Sequence, residues 1–245
     1  MAYWGIKIVI TPLLRVLFRV KTIGAGNVPR HGPVVLASNH QSFIDSIFLP
    51  LVVRRRVTFV AKAEYFERRR TAWFFRAVGM IPLKRGGGSA SARALMAARE
   101  VLDGGGVLGI YPEGTRSPDG RLYRGHTGVA RLAMQCHAPV VPVAQIGTAA
   151  VQPVGARGIR PFRRVEVRIG EPIRWSGDME SDNGASSLRH FTDEIMAAIQ
   201  ALSGQERVDS YAKRDRGRLA APGSEAEPLP PDPAGGSLGA APLVS

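Results

Sequence analysis

The sequence predicts an α/β domain, a mixed sheet covered by helices, and three observations lead there. Short apolar runs of strand length recur at Pro33–Ala37, Val57–Ala61, Met80–Leu83, Val107–Tyr111, Val140–Ile146 and Val165–Ile169. Segments of helical character separate them, and that alternation is the pattern of a sheet with helices on its faces. The length, 245 residues with 44% apolar content, suits one domain with tails and a substantial core.

Residues 1–20 form the first predicted helix. Lys7, Thr11, Arg15 and Arg19 recur every four residues on one face. Ile6, Ile10, Leu13, Leu14 and Leu17 cluster opposite, with Tyr3 and Trp4 near the start and Pro12 as a possible kink. Three charges in this stretch exclude a spanning helix, which needs about 20 mostly apolar residues. No small-residue cleavage site marks a secretory signal. Cationic on one face, apolar on the other and aromatic at one end, the segment suits a helix lying in a membrane interface. The plain alternative is an amphipathic helix packed on its own domain.

The Pro33–Ala37 strand follows His31-Gly32, and Ile47–Val53 continues a helix begun near Ser42. Thr71–Val78 is helical and stops at Gly79; Ser89–Leu102 is Ala-rich and stops at Gly104-Gly105-Gly106. His126–Cys136 and Ser187–Leu202 complete the predicted helices. The domain is expected over residues 21–203, followed by a disordered tail over 204–245. From Ala221 onward that tail holds six prolines and four glycines. It has too little apolar surface to offset its ordering entropy.

The formal charge of +13 points to a polyanionic partner: nucleic acid, anionic lipid or a phosphorylated substrate. Its location narrows the choice. The tail is about −1, whereas residues 1–78 hold 13 basic and three acidic residues. The runs Arg54-Arg55-Arg56 and Arg68-Arg69-Arg70 read as solvated faces or as attractors of anionic lipid. The single cysteine, Cys136, rules out an intrachain disulfide framework and a multi-cysteine metal site in this chain.

Four strand-end segments carry polar or otherwise unusual residues. Asn39-His40-Gln41-Ser42-Phe43-Ile44-Asp45 follows the first strand. A His at the turn and an Asp on the first helical turn can meet, and that pairing orients an imidazole as a general base. Gly79-Met80-Ile81-Pro82-Leu83-Lys84-Arg85 leads through Gly86-Gly87-Gly88-Ser89 into a helix, a plausible phosphate site but not a nucleotide P-loop. Tyr111-Pro112-Glu113-Gly114-Thr115-Arg116-Ser117 presents a carboxylate and a guanidinium in a Gly-containing turn, and a guanidinium can hold a phosphate bidentately. Val141-Pro142-Val143 taken alone is a core strand. His31, His137 and His190 have no motif around them and read as surface or packing residues; His126 sits beside the third segment's continuation.

In that order these segments resemble the glycerolipid acyltransferases, and most nearly the bacterial 1-acyl-glycerol-3-phosphate acyltransferases. Ala61-Lys62-Ala63-Glu64 and Arg124-Gly125-His126-Thr127-Gly128 resemble that family's flanking segments, and the likeness covers roughly residues 20–175. The resemblance implies a glycerol-3-phosphate acyltransferase-like fold with a membrane-associating first helix. It implies His40 as the base that takes a glycerol hydroxyl proton and Asp45 as its orienting partner. Lys84, Arg85, Glu113, Gly114, Thr115 and Arg116 fall on or beside the positions linked to the glycerol phosphate, and Pro142 on a packing position near the acyl site. It implies direct acyl transfer to lysophosphatidic acid from acyl-CoA or acyl carrier protein as co-substrate, with no metal or cofactor. It places the chain on the cytoplasmic face of the cell membrane, peripheral or monotopic, on an anionic surface and away from nucleic acid. Two departures stand out: Lys84 where relatives carry an acidic or neutral residue, and Tyr111 where Phe is more usual. The rival readings are another acceptor, glycerol 3-phosphate or a lyso-aminolipid, and a non-catalytic basic lipid- or nucleic-acid-binding module.

Overall fold

The computed structural model describes residues 2–61, 66, 72, 73, 75, 76, 79–82, 89–156, 158–177 and 184–212. The strands are β1 (Lys21–Ile23), β2 (Val34–Ser38), β3 (Val57–Ala61), β4 (Met80–Pro82), β5 (Val107–Ile110), β6 (Leu122–Tyr123), β7 (Val140–Ile146), β8 (Glu166–Ile169) and β9 (Arg207–Val208). The helices are α1 (Ala2–Leu17), α2 (Asp45–Val52), α3 (Ala90–Asp103), α4 (Gly128–Gln135), α5 (Thr148–Val151) and α6 (Gly184–Ser203). The predicted Thr71–Val78 helix falls partly outside the described residues.

Seven strands make the main sheet in the order β1-β8-β7-β2-β5-β3-β4. Strands β7, β2, β5, β3 and β4 run parallel, and β8 is antiparallel to β7 and carries β1 with it, so the sheet is mixed. Strand β2 sits between β5 and β7 and is buried throughout, as an apolar run in a covered parallel sheet should be. Its side chains alternate between two cores. Val34 and Leu36 pack with Phe48, Leu49 and Val52 of α2, Phe59, Val143 and Phe18. Val35 and Ala37 pack on the other face with Ala98 and Leu102 of α3, Val129 and Leu132 of α4, and Ile195 and Ile199 of α6. Helices therefore cover both faces.

The first helix differs in detail from its expected faces. Tyr3 is buried, and Leu14 and Leu17 pack against the core. Lys7, expected on the outer cationic face, turns inward and donates to the carbonyl of Val53. Burial lowers its pKa to about 8, with Arg15 adding to the effect. The arc turned outward instead carries Trp4, Ile8, Val9, Leu13 and Val16, with Ile8, Val9 and Val16 each 70% or more exposed. The helix closes with bonds from Arg19 N to Val16 O and Val20 N to Arg15 O, around Arg19 at φ 44°. No helix among the described residues is long and apolar enough to cross a membrane.

Of the two basic runs, the first takes structural partners. Arg55 donates to the carbonyls of Pro29, Gly32 and Gly105, and the Arg56 guanidinium lies 5.4 Å from the Tyr3 ring centre, so both do structural duty. Arg68–Arg70 lie outside the described residues.

The expected tail begins too early. Residues 204–212 belong to the domain: β9 pairs with β6, Leu122 N donates to Glu206 O, and Arg124 N donates to Ser210 O. The proline-rich part lies outside the described residues.

Candidate active site

Because β2, β5, β7 and β4 run parallel, the segments after them emerge on one edge of the sheet, where open α/β sheets hold their ligands. His40 follows β2 and Asp45 opens α2. Their side chains meet, with His40 Nδ1 2.9 Å from Asp45 Oδ2. The same Oδ2 accepts from the backbone amides of Gln41 at 2.7 Å and Ser42 at 2.8 Å. Asp45 is fully buried and His40 partly exposed. A carboxylate at a helix N-terminus, held by two amides, is a fixed acceptor. It sets the tautomer: Nδ1 carries the proton and Nε2 is the basic nitrogen.

The third motif grips His40 from both sides. His40 N donates to Glu113 Oε1 at 3.1 Å, and Ser117 N donates to His40 O at 2.7 Å. Glu113 Oε2 accepts from Tyr123 N at 3.0 Å. Expected among the substrate-binding residues, Glu113 is instead buried, with both oxygens committed to backbone amides. These two bonds tie the His40 loop to β6. Burial raises its pKa to about 7, and the two amide bonds from Tyr123 and His40 partly counter that rise. Gly114 stands at φ 71°, and a Cβ there would lie 3.0 Å from His126 Cδ2, so this turn suits glycine twice over. Thr115 and Arg116 are half-buried beside it, and Arg116 makes no ion pair with a described residue.

Tyr111, the unusual opening residue of that motif, lies flat on the imidazole. The ring centres are 3.8 Å apart at an interplanar angle of 10°, and Phe59 stacks on Tyr111 in turn at 5.6 Å. The Tyr111 hydroxyl is 2.8 Å from Ser46 Oγ, beside Asp45. Burial, with Asp45 nearby, pushes the phenol well above its ordinary pKa, so it stays neutral.

The acyltransferase family model matches residues 19–146, a span that holds His40, Asp45 and the whole Glu113–Ser117 turn. The chain belongs to the acyltransferase family. It is 34% identical over 160 residues to a chloroplastic 1-acyl-sn-glycerol-3-phosphate acyltransferase of Arabidopsis thaliana, covering 65% of this chain and 45% of that protein. A Brassica napus chloroplastic enzyme of the same name is 35% identical over 167 residues, covering 67% and 48%. This chain thus spans about half the length of these curated relatives. The crystal structure of a 1-acyl-sn-glycerophosphate acyltransferase, PlsC, from Thermotoga maritima superposes with a TM-score of 0.61 at 26% identity, covering 80% of each chain.

In this chain, Lys84 and Arg85 lie outside the described residues. Pro142 is buried in β7, its ring against Gly170, where any Cβ would lie 2.9 Å from Pro142 Cγ, so it packs the sheet. His31, His137 and His190 are exposed, and His137 sits at φ 48° just beyond α4. His126 stacks on Tyr211 at 4.6 Å.

Three further residues hold these loops, and of them the sequence reading includes only Asn39, as the first residue of its His40 motif. Asn39 donates from Nδ2 to Gln145 O at 3.1 Å and to Gln205 Oε1 at 2.8 Å, and accepts at Oδ1 from Gln145 N at 2.8 Å. Gln145 also donates to Ser38 Oγ. Gln205 donates from Nε2 to Gly120 O, tying the segment after α6 to the loops that follow β2 and β5. Gln145 had a signal, as the polar residue in an apolar strand. Gln205 had none.

Proposed function

We propose that this chain transfers a fatty acyl group from an acyl thioester, acyl-CoA or acyl carrier protein, to the sn-2 hydroxyl of 1-acyl-glycerol 3-phosphate, giving phosphatidic acid. The His40–Asp45 pair, with Nδ1 held and Nε2 left as the base, carries the reading. The hydroxyl proton passes to Nε2 while the oxygen attacks the thioester carbonyl. The tetrahedral adduct then expels the thiolate, which takes the proton back from the imidazolium. Asp45 stabilises that imidazolium, as buried carboxylates do beside catalytic histidines. The relatives named above support lysophosphatidate as the acceptor.

Arg116 supports a place for the acceptor's phosphate. It precedes Ser117, whose amide is bonded to the His40 carbonyl, so the Arg116 backbone is held next to the His40 loop, within side-chain reach of it. Lys84 and Arg85 are assigned to the same phosphate, with Gly114 and Thr115 shaping the turn around it. The outward apolar arc of α1 supports a resting place on the cytoplasmic face of an anionic membrane, from which the acceptor is drawn.

Purified full-length chain given palmitoyl-CoA and 1-oleoyl-lysophosphatidate is expected to release free thiol only when both are present. His40→Ala should lower kcat by about 10³-fold, within the usual range for a general base. Undiminished thiol release by His40→Ala would overturn the assignment of the base. Turnover of a phosphate-free lysolipid, or of glycerol 3-phosphate in place of lysophosphatidate, would overturn the acceptor.

A further inference from the structure

The stretch Gly158–Arg164, between α5 and β8, is exposed at every residue. It reads Gly-Ile-Arg-Pro-Phe-Arg-Arg. Ile159 is 52% and Phe162 70% exposed. Phe162 also stands at φ 61°, a backbone region that a bulky residue rarely enters and that a water-facing loop would give to Gly or Asn. The stretch is fastened to the first helix: Phe162 N donates to the Leu17 carbonyl at 3.1 Å, and Val165 N to the Phe18 carbonyl at 3.1 Å. Phe162 is therefore carried beside the last turn of α1, whose Leu13 and Val16 are themselves exposed.

Charge surrounds these apolar tips. Arg160, Arg163 and Arg164 flank them, Arg15 on α1 and Arg19 just beyond it stand exposed, and no acidic residue occurs between Asp119 and Glu166 or before Asp45. Arg164 is 3.8 Å from Glu166, whereas Arg160 and Arg163 make no ion pair with a described residue. Apolar tips rimmed by unpaired arginines match an anionic lipid surface, which offers hydrocarbon below and phosphate at the rim.

We propose that Gly158–Arg164 is a second membrane anchor, which inserts Ile159 and Phe162 into an anionic bilayer while Arg160 and Arg163 meet the lipid phosphates. The proposal rests on the reading of α1 as an interfacial helix and adds a fixed orientation to it. One helix on a surface can roll about its own axis. A second insertion point off that axis, hydrogen-bonded to the helix end, stops the roll and holds the sheet at a set angle to the membrane.

Vesicles of phosphatidylcholine and phosphatidylglycerol at 3:1 test this with the full chain, by flotation. The double variant Ile159→Ser/Phe162→Ser should lower the partition coefficient about tenfold, with an unchanged circular dichroism spectrum. Ile8→Ser/Val16→Ser tests the α1 reading separately. Loss by the helix variant alone overturns the loop anchor and leaves the α1 reading standing. Binding retained by both variants overturns both, and loss by the loop variant, alone or together with the helix variant, supports the anchor. Depth gives a second measure that needs no loss of binding. In a Cys136→Ser background, an environment-sensitive fluorophore on Phe162→Cys should brighten on these vesicles and be quenched by spin-labelled acyl chains. The same fluorophore on Met96→Cys, exposed on α3 across the sheet, should stay in water. A Phe162 probe that remains in water on bound vesicles overturns the proposal.

Discussion

Glu113 is a carboxylate placed where its charge is both useful and disfavoured. Ionised, it accepts two backbone amides and fixes His40; buried, it resists ionisation, and its pKa stands near 7. The linkage has a definite sign. A carboxyl whose folded pKa lies above its unfolded value of 4.5 contributes stability that is complete below pH 4.5. That contribution is lost as pH rises through 7. The expected slope over that window approaches about 1.4 kcal/mol per pH unit for one proton. Glu113→Gln mimics the neutral form. It should match wild type near pH 5 in urea unfolding and show a flatter profile to pH 8. Its kcat should nevertheless fall about tenfold at pH 8, because the His40 loop loses an acceptor. Parallel stability profiles for the two proteins would refute the raised pKa.

At the scale of elements, what the sequence made legible was the edge of the sheet. The apolar runs of β2, β3, β5 and β7 are long enough to be read, and the catalytic motifs lie directly after two of them. Strands of two or three residues, β1, β6 and β9, carry no periodicity of their own and exist because a neighbour pairs with them. The segment after α6 therefore reads as tail in the sequence, although Gln205 and β9 strap the loops after β2 and β5 together. Gln205→Ala removes two hydrogen bonds, each worth about 1 kcal/mol net. It should lower Tm by about 2–8 °C and reduce kcat several-fold with little change in KM, since the strap holds loops and touches no acceptor. Gln205→Glu keeps an oxygen for Asn39 but cannot donate to Gly120 O, and should fall between the two. Differential scanning calorimetry beside initial rates decides it; native Tm and kcat in Gln205→Ala would show that the strap is incidental.

Over the whole molecule, the proposed membrane docking draws on the net charge and on the outward apolar arc, and the two should respond differently to salt. Residues 1–203 carry +14 of the formal charge, because residues 204–245 are slightly acidic at −1. Attraction between that charge and an anionic surface is screened over about 10 Å at 0.1 M salt and about 3 Å at 1 M. The proposed insertion of Trp4, Ile8, Val16 and Phe162, all exposed, would not be weakened by salt in this way. Raising salt from 0.1 to 1 M should therefore weaken binding to phosphatidylglycerol-containing vesicles at least tenfold, down to a floor set by the apolar residues. Binding to pure phosphatidylcholine should begin near that floor and barely change. In assays on vesicles the apparent KM for lysophosphatidate should rise with salt while kcat holds, because chemistry at His40 follows docking. Flotation across a salt series, read beside the kinetics, separates the two contributions. A salt-independent partition coefficient would mean that the basic surface faces away from the lipid.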